Sequence, residues 1–226
     1  VKAAAGIGAA ALLGTAVIGV AHTPWGRPLL KLPLLSALAQ NAGCPVGSIE
    51  PAAFEKVRRQ KLQGDVGTAT AGAHPALGFT LGQTRRSDVA AWVAKTHSSC
   101  KAGLVASVLE CSNVTSLGAV PISQLRLQFD AQERLVSVDL FRADPAGAAL
   151  VERFQALGRE LDASVGPPTS SVGTATLAFM KQSGLQTVVR THGYRDYVAT
   201  AMLLNFGKRG LRLREQYQWL PPDGPA

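Results

Sequence analysis

Residues 122–141 read ISQLRLQFDAQERLVSVDLF. Leu125, Leu127 and Phe129 alternate with Arg126, Gln128 and Asp130. That period of two puts one row of side chains in a core and the other in water. After the polar stretch 131–134, Val136, Val138 and Leu140 resume the alternation on a second strand. So short a connection cannot carry a crossover, and the two strands must run antiparallel. An antiparallel sheet is therefore the frame into which the rest of the chain has to fit.

Toward the C-terminus, Leu150, Phe154, Leu157 and Leu161 recur at helical spacing, the stripe of an amphipathic helix packed through one side. Gly166-Pro167-Pro168 ends it, because glycine accepts the left-handed cap and proline cannot continue a helix. Strands are predicted over 186–192, 197–206 and 211–219. In the last, Leu211, Leu213, Tyr217 and Trp219 face away from Arg212, Arg214, Gln216 and Gln218. Gly207-Lys208-Arg209-Gly210 is its hairpin turn.

Toward the N-terminus, Val89, Trp92 and Val93 lie on one side of a helix that Thr84 or Ser87 could cap. The apolar run 104–109 reads as a further strand. Phe54, Val57 and Leu62 fall near one face of a short helix, and the Gly/Ala/Thr-rich stretch 64–74 reads as a linker. A helix followed by about three antiparallel strands thus occurs twice. This predicts either two small helix-on-sheet layers or one six-stranded sheet shared between them.

Residues 3–21, AAAGIGAAALLGTAVIGVA, carry no charge, and Thr15 is the one polar interruption. The segment is at the short limit for a membrane-spanning helix and long for the apolar core of a signal peptide. Its length favours an anchor, while Gly19-Val20-Ala21 would suit a signal peptidase. Pro24, Pro28 and Pro33 interrupt the neck that follows, and Trp25, Arg27 and Lys31 suit the headgroup zone. Arg27 and Lys31 compete with Lys2 in setting orientation. The pair Cys100 and Cys111 flanks a short loop, which points to an oxidising compartment. The bulk of the chain is therefore expected outside the cytoplasm, as a periplasmic protein or, after cleavage, a secreted one.

The expected fold class is α+β: a transmembrane or signal helix followed by two helix-plus-antiparallel-sheet units. The expected divisions are an anchor or signal over 1–22, a neck and linker over 23–75, units over 76–143 and 144–220, and a tail over 221–226. At 226 residues, with 46% hydrophobic and 17% charged, the chain can bury one sizeable core or two small ones and is not of disordered composition.

Leu81-Gly82-Gln83-Thr84, followed by Asp88-Val89, resembles the signature that opens the first helix of the small outer-membrane-assembly lipoproteins of the SmpA/OmlA type. Val165-Gly166-Pro167 is similar to the glycine-proline that ends a helix in that family. The resemblance spans residues 76–219. It implies a helix pair on an antiparallel sheet that binds protein or lipid rather than catalysing a reaction. Those lipoproteins carry a lipidated cysteine just after the signal. Here Cys44 lies far from the apolar run, so the same lipid anchor is not implied.

Three cysteines allow three pairings, of which Cys100 with Cys111 closes the shortest loop and leaves Cys44 over. With no Cys-x-x-Cys and only His97 near them in sequence, a metal centre is not expected. His22, His74, His97 and His192 form no metal-binding spacing. His192, with Tyr194 and Asp196, is the densest polar cluster. It reads either as one wall of a pocket or as an exposed strand end. No nucleophile elbow, phosphate loop or dinucleotide fingerprint is present, and no cofactor is expected.

A net charge of +8 would suit nucleic acid in a cytoplasmic chain, but export removes that partner. Anionic lipid or envelope polymer is left, with Arg58, Arg59, Lys61, Lys208, Arg209, Arg212 and Arg214 as the basic residues to meet it, against the plainer reading of a solvated surface. Asn113-Val114-Thr115 matches a glycosylation acceptor. The function expected is that of a non-catalytic, membrane-anchored envelope protein binding a protein or lipid partner. Two alternatives stay open. One is a hydrolase-like envelope enzyme with its site near His192. The other is an accessory or sensory subunit whose anchor meets other spans through Gly6, Ala10 and Gly14.

Overall fold

The hairpin at 122–141 forms as expected, β5 (Ile122–Phe129) against β6 (Leu135–Asp144), with Leu125 opposite Leu140 and Leu127 opposite Val138. Asp130 closes the turn between them. Its carboxylate accepts the backbone N–H of Gln132 and Arg134 at 2.9 Å each and binds the Arg134 guanidinium at 2.8 Å. The computed structural model describes residues 51–114, 120–144, 146–182 and 184–221. The apolar segment, the neck up to residue 50, Cys44 and the tail 222–226 lie outside them, and the Asn113-Val114-Thr115 motif does so in part.

In chain order the remaining elements are α1 (Pro51–Leu62), β1 (Pro75–Ala76), β2 (Phe79–Thr80), α2 (Arg86–Thr96), β3 (Ser99–Ala102), β4 (Val108–Val114), α3 (Ala148–Ser164), β7 (Ser170–Val172), α4 (Leu177–Met180), β8 (Thr187–Gly193), β9 (Tyr197–Asn205) and β10 (Leu211–Trp219). A 3₁₀ turn, Gly207–Arg209, joins the last two.

The architecture is α+β with one large antiparallel sheet. Eight strands lie in the order β3-β4-β5-β6-β10-β9-β8-β7. The helix-then-strands repeat is present, and its two halves share a sheet through their last strands: β6 and β10 pair along eight residues, from Leu211 opposite Asp144 to Gln218 opposite Ser137. Each half supplies four strands rather than three. The run 104–109 is not a strand of its own. Leu104 is 89% exposed in the connection between β3 and β4, and the strand begins only at Val108. The added edge strand β3 is tied to β4 by the Cys100–Cys111 disulfide between directly opposed residues.

α2 and α3 belong to one side of the sheet. Leu150, Phe154, Leu157 and Leu161 of α3 and Val89 of α2 enter a single core cluster with Leu125, Leu127, Val138, Leu140, Leu203 and Leu213. α2 starts without the expected hydroxyl cap. Instead the Arg85 N–H donates to the Asp88 carboxylate at 2.8 Å. The stretch 64–74 is held against the turn between β8 and β9. Arg195 N–H donates to the Ala69 carbonyl at 2.8 Å, and Ala71 N–H donates to the Asp196 carboxylate at 2.9 Å.

Candidate functional site

His192, Tyr194 and Asp196 sit close in sequence, and the structure sends each to a different partner. On β8, His192 faces the helices and is fully buried. Its Nε2 lies 2.8 Å from Asp162 Oδ1 on α3. Arg190 on the same strand also binds Asp162. Gly158 lies against this pair, and a Cβ there would stand 3.1 Å from the Arg190 guanidinium. Burial lowers the His192 pKa below its ordinary value, a pull that the Asp162 carboxylate opposes without overcoming. Asp162 itself is held below the usual carboxylate range, since hydrogen bonds from His192 and Arg190 outweigh its partial burial.

Tyr194 is buried and donates its hydroxyl to the Pro167 carbonyl at 2.9 Å, fastening the end of α3 to the β8 terminus. Asp196 accepts from Ala71 N–H and meets His74 Nε2 at 2.8 Å. Partial burial raises the Asp196 pKa, but these hydrogen bonds together lower it. The three residues thus fasten α3, the segment 64–74 and the sheet together, and they do not converge on a common point.

A second polar cluster lies under α3 at the middle of the sheet. Arg142 on β6 and Glu215 on β10 are 2% and 0% exposed, with Nε and Oε1 2.7 Å apart. The Tyr217 hydroxyl donates to Glu215 Oε2 at 2.8 Å, and Arg153 of α3 approaches the same oxygen at 3.6 Å. Burial drives the Tyr217 pKa up, and the adjacent Glu215 carboxylate drives it further, so the phenol stays neutral and donates. This network was legible only as an irregularity. Arg142 and Glu215 stand in the apolar phase of their strands, beside Leu140 and between Leu213 and Tyr217.

The opposite side of the sheet carries the other expected residues. Arg214 is held by Asp139 at 2.9 and 2.7 Å and lies over the Phe141 ring at 5.4 Å. Hydrogen bonding to Asp139 raises its pKa against the effect of desolvation. Arg212 is half-buried on the same face, and Lys208 and Arg209 are exposed in the turn. Arg58 is instead buried against the sheet. It bonds Glu55, Gln218 Oε1 at 2.8 Å and the Trp219 carbonyl at 3.0 Å. Arg59 is bonded to Glu55 at 3.0 Å, and Lys61 is exposed. Among the described helices, α1 covers this face at the end near Val198 and Gln218. Away from α1, Phe141, Met202, Leu204, Thr200 and Gln216 are half-exposed in adjoining strands.

Among the described residues, no group of three or more His, Cys, Asp or Glu is placed to hold a metal ion, and no helix is long and apolar enough to cross a membrane. Comparison with known proteins finds no matching family model, curated relative or solved structure.

Proposed function

We propose that this chain is an exported, membrane-anchored, non-catalytic protein that binds a partner through the side of its sheet opposite α2 and α3, beyond the end that α1 covers. The observation that carries the reading is the face formed by Phe141, Met202, Leu204, Thr200 and Gln216. Alternate residues of three central strands stay half-exposed there, while their neighbours on the helix side are buried. The part of this side that no described helix covers offers a surface of mixed apolar and polar character. Export and anchoring rest on the uncharged segment 3–21 and on a disulfide that an oxidising compartment favours.

Two measurements test the reading. Alkaline phosphatase fused after Trp219 is expected to be active, and an inactive fusion beside an active cytoplasmic reporter would reverse the topology. A photo-crosslinking residue at Met202 or Thr200 is expected to capture a partner in intact cells, whereas one at the exposed Glu152 of α3 is not. Capture from Glu152 alone would move the binding surface to the helices and overturn the assignment.

A further inference from the structure

We infer that the end of the sheet where β9 turns into β10 is a docking site for an anionic lipid bilayer. This surface lies at the ends of the strands and touches the face of the proposed function only through Arg212, opposite Leu204; the crosslinking and bilayer experiments report on different residues, so either can fail alone. Two large apolar side chains are exposed there, Leu185 at 81% and Phe206 at 48%. They are brought together by backbone pairing just beyond the strands, where Asn205 N–H donates to the Gln186 carbonyl at 3.0 Å. Around them stand Lys181, Lys208 and Arg209, all exposed, and Arg212 on the adjoining strand. None of the four forms an ion pair with an acid among the described residues; Arg212 reaches only the Leu211 carbonyl, at 3.1 Å. The acid at this end is Asp144, and its two oxygens accept the N–H groups of Ala146 and Gly147 at 3.0 Å each.

Asn205 holds this surface in shape. Its amide nitrogen donates to the Met180 carbonyl at 2.6 Å, fastening the end of α4, and its oxygen accepts the Gly207 N–H at 2.7 Å, fastening the turn. Lys181 and the turn thereby flank one surface depression of about 380 Å³, lined also by Met180, Gln182 and Leu211. Exposed apolar side chains ringed by unpaired cations match an anionic membrane surface. The apolar groups enter the acyl boundary while the cations meet lipid phosphates. A soluble polyanion would use the charges and leave Leu185 and Phe206 without a role. Arg214 takes no part, because Asp139 already neutralises it.

The test uses the full chain in nanodiscs of phosphatidylcholine and in nanodiscs containing one third phosphatidylglycerol, so that any contribution of segment 3–21 is common to both. Amide exchange of residues 181–187 and 205–212 is followed by mass spectrometry. Severalfold slower exchange on the anionic discs is expected, reversed by high salt as screening shortens the attraction. The variant K181Q/K208Q/R209Q should lose the headgroup dependence, and L185S/F206S should weaken it while keeping the core intact. Equal exchange on both discs would overturn the inference. So would the same protection from inorganic polyphosphate added to neutral discs, because the site would then read charge alone.

Discussion

Glu215 illustrates what a single buried charge asks of its surroundings. Its carboxylate is fully buried at the seam of the sheet, and Arg142, Tyr217 and Arg153 converge on it. Changing Glu215→Leu leaves the Arg142 guanidinium buried without an anion, which costs about 3–5 kcal/mol. The double variant R142M/E215L removes both charges and should recover part of that loss, the Tyr217 hydroxyl and the Val120 carbonyl losing their partners in it. Urea unfolding of the two variants decides this, and equal destabilisation would mean that the pair is not coupled. His192 makes a different demand. Its Nε2 meets Asp162, while Nδ1 is buried with no hydrogen-bond partner. The neutral ring with its proton on Nε2 satisfies this site, and the charged ring would present a second N–H to a wall that offers no acceptor. Its folded pKa accordingly lies below the ordinary 6.5. Below about pH 6.5 the unfolded chain takes up the proton first, so stability falls with pH until the folded pKa is passed. His192→Gln keeps a donor toward Asp162 without titrating. Melting temperatures from about pH 7.5 to about pH 5 should therefore fall more steeply for the parent than for the variant. Parallel slopes would show that other groups carry the dependence.

At the scale of elements, the positive-φ glycines separate into those enclosed by neighbours and those in the open. Gly147 precedes α3 at φ +80°, and a Cβ there would come within 2.5 Å of Leu211 Cδ1, whose side chain is in the core. Gly207 has φ +60° and nothing within 4 Å. Gly147→Ala therefore meets both backbone strain and a collision, and Gly207→Ala meets the strain alone. Thermal unfolding should place the first about 1–2 kcal/mol or more below the second. Similar losses would indicate that the start of α3 can shift away from β10. The same elements show which parts of the fold were readable beforehand. Strands β5, β6, β9 and β10 and helix α3 bury one full side, so their periodicity is written in Leu125, Leu127, Leu203 and Leu213 and in the stripe from Leu150 to Leu161. The edges carry no such signal. Ser170–Val172 is exposed throughout and is held by backbone pairing to β8, and α4 is a single turn. The run 104–109 misleads because it is buried only in part and outside a strand until Val108: Val105 and Val108 are buried, Leu104 faces water, and Cys111 takes the core position expected of an aliphatic residue. Disulfide pairing was legible from a short loop. The bond between His192 and Asp162 was not, since nothing local in either residue's neighbourhood says that α3 crosses β8.

For the whole molecule, the seam between β6 and β10 decides whether the repeat is two domains or one. The halves follow the same order, a helix and then four antiparallel strands, and each ends in a strand that becomes central only when the other half is present. Split between Ala146 and Gly147, either half would expose a long unpaired central edge. The first would also leave Arg142 without Glu215, and the second would leave Glu215 and Arg153 without Arg142. α3 packs on strands of both halves, placing Leu150, Phe154 and Leu157 in one core with Leu140 and Leu203. Neither half keeps a complete core, and a buried charge without its partner adds to the deficit. Fragments 50–146 and 147–221 produced separately should therefore show no cooperative melting. Mixed, they should regain a single transition and an equimolar complex on size-exclusion chromatography. The Cys100–Cys111 disulfide does not alter this expectation, because it closes a loop wholly inside the first fragment, far from the seam in the strand order. A sharp, two-state transition in either isolated fragment would mean that the halves are autonomous domains which share a sheet without depending on it.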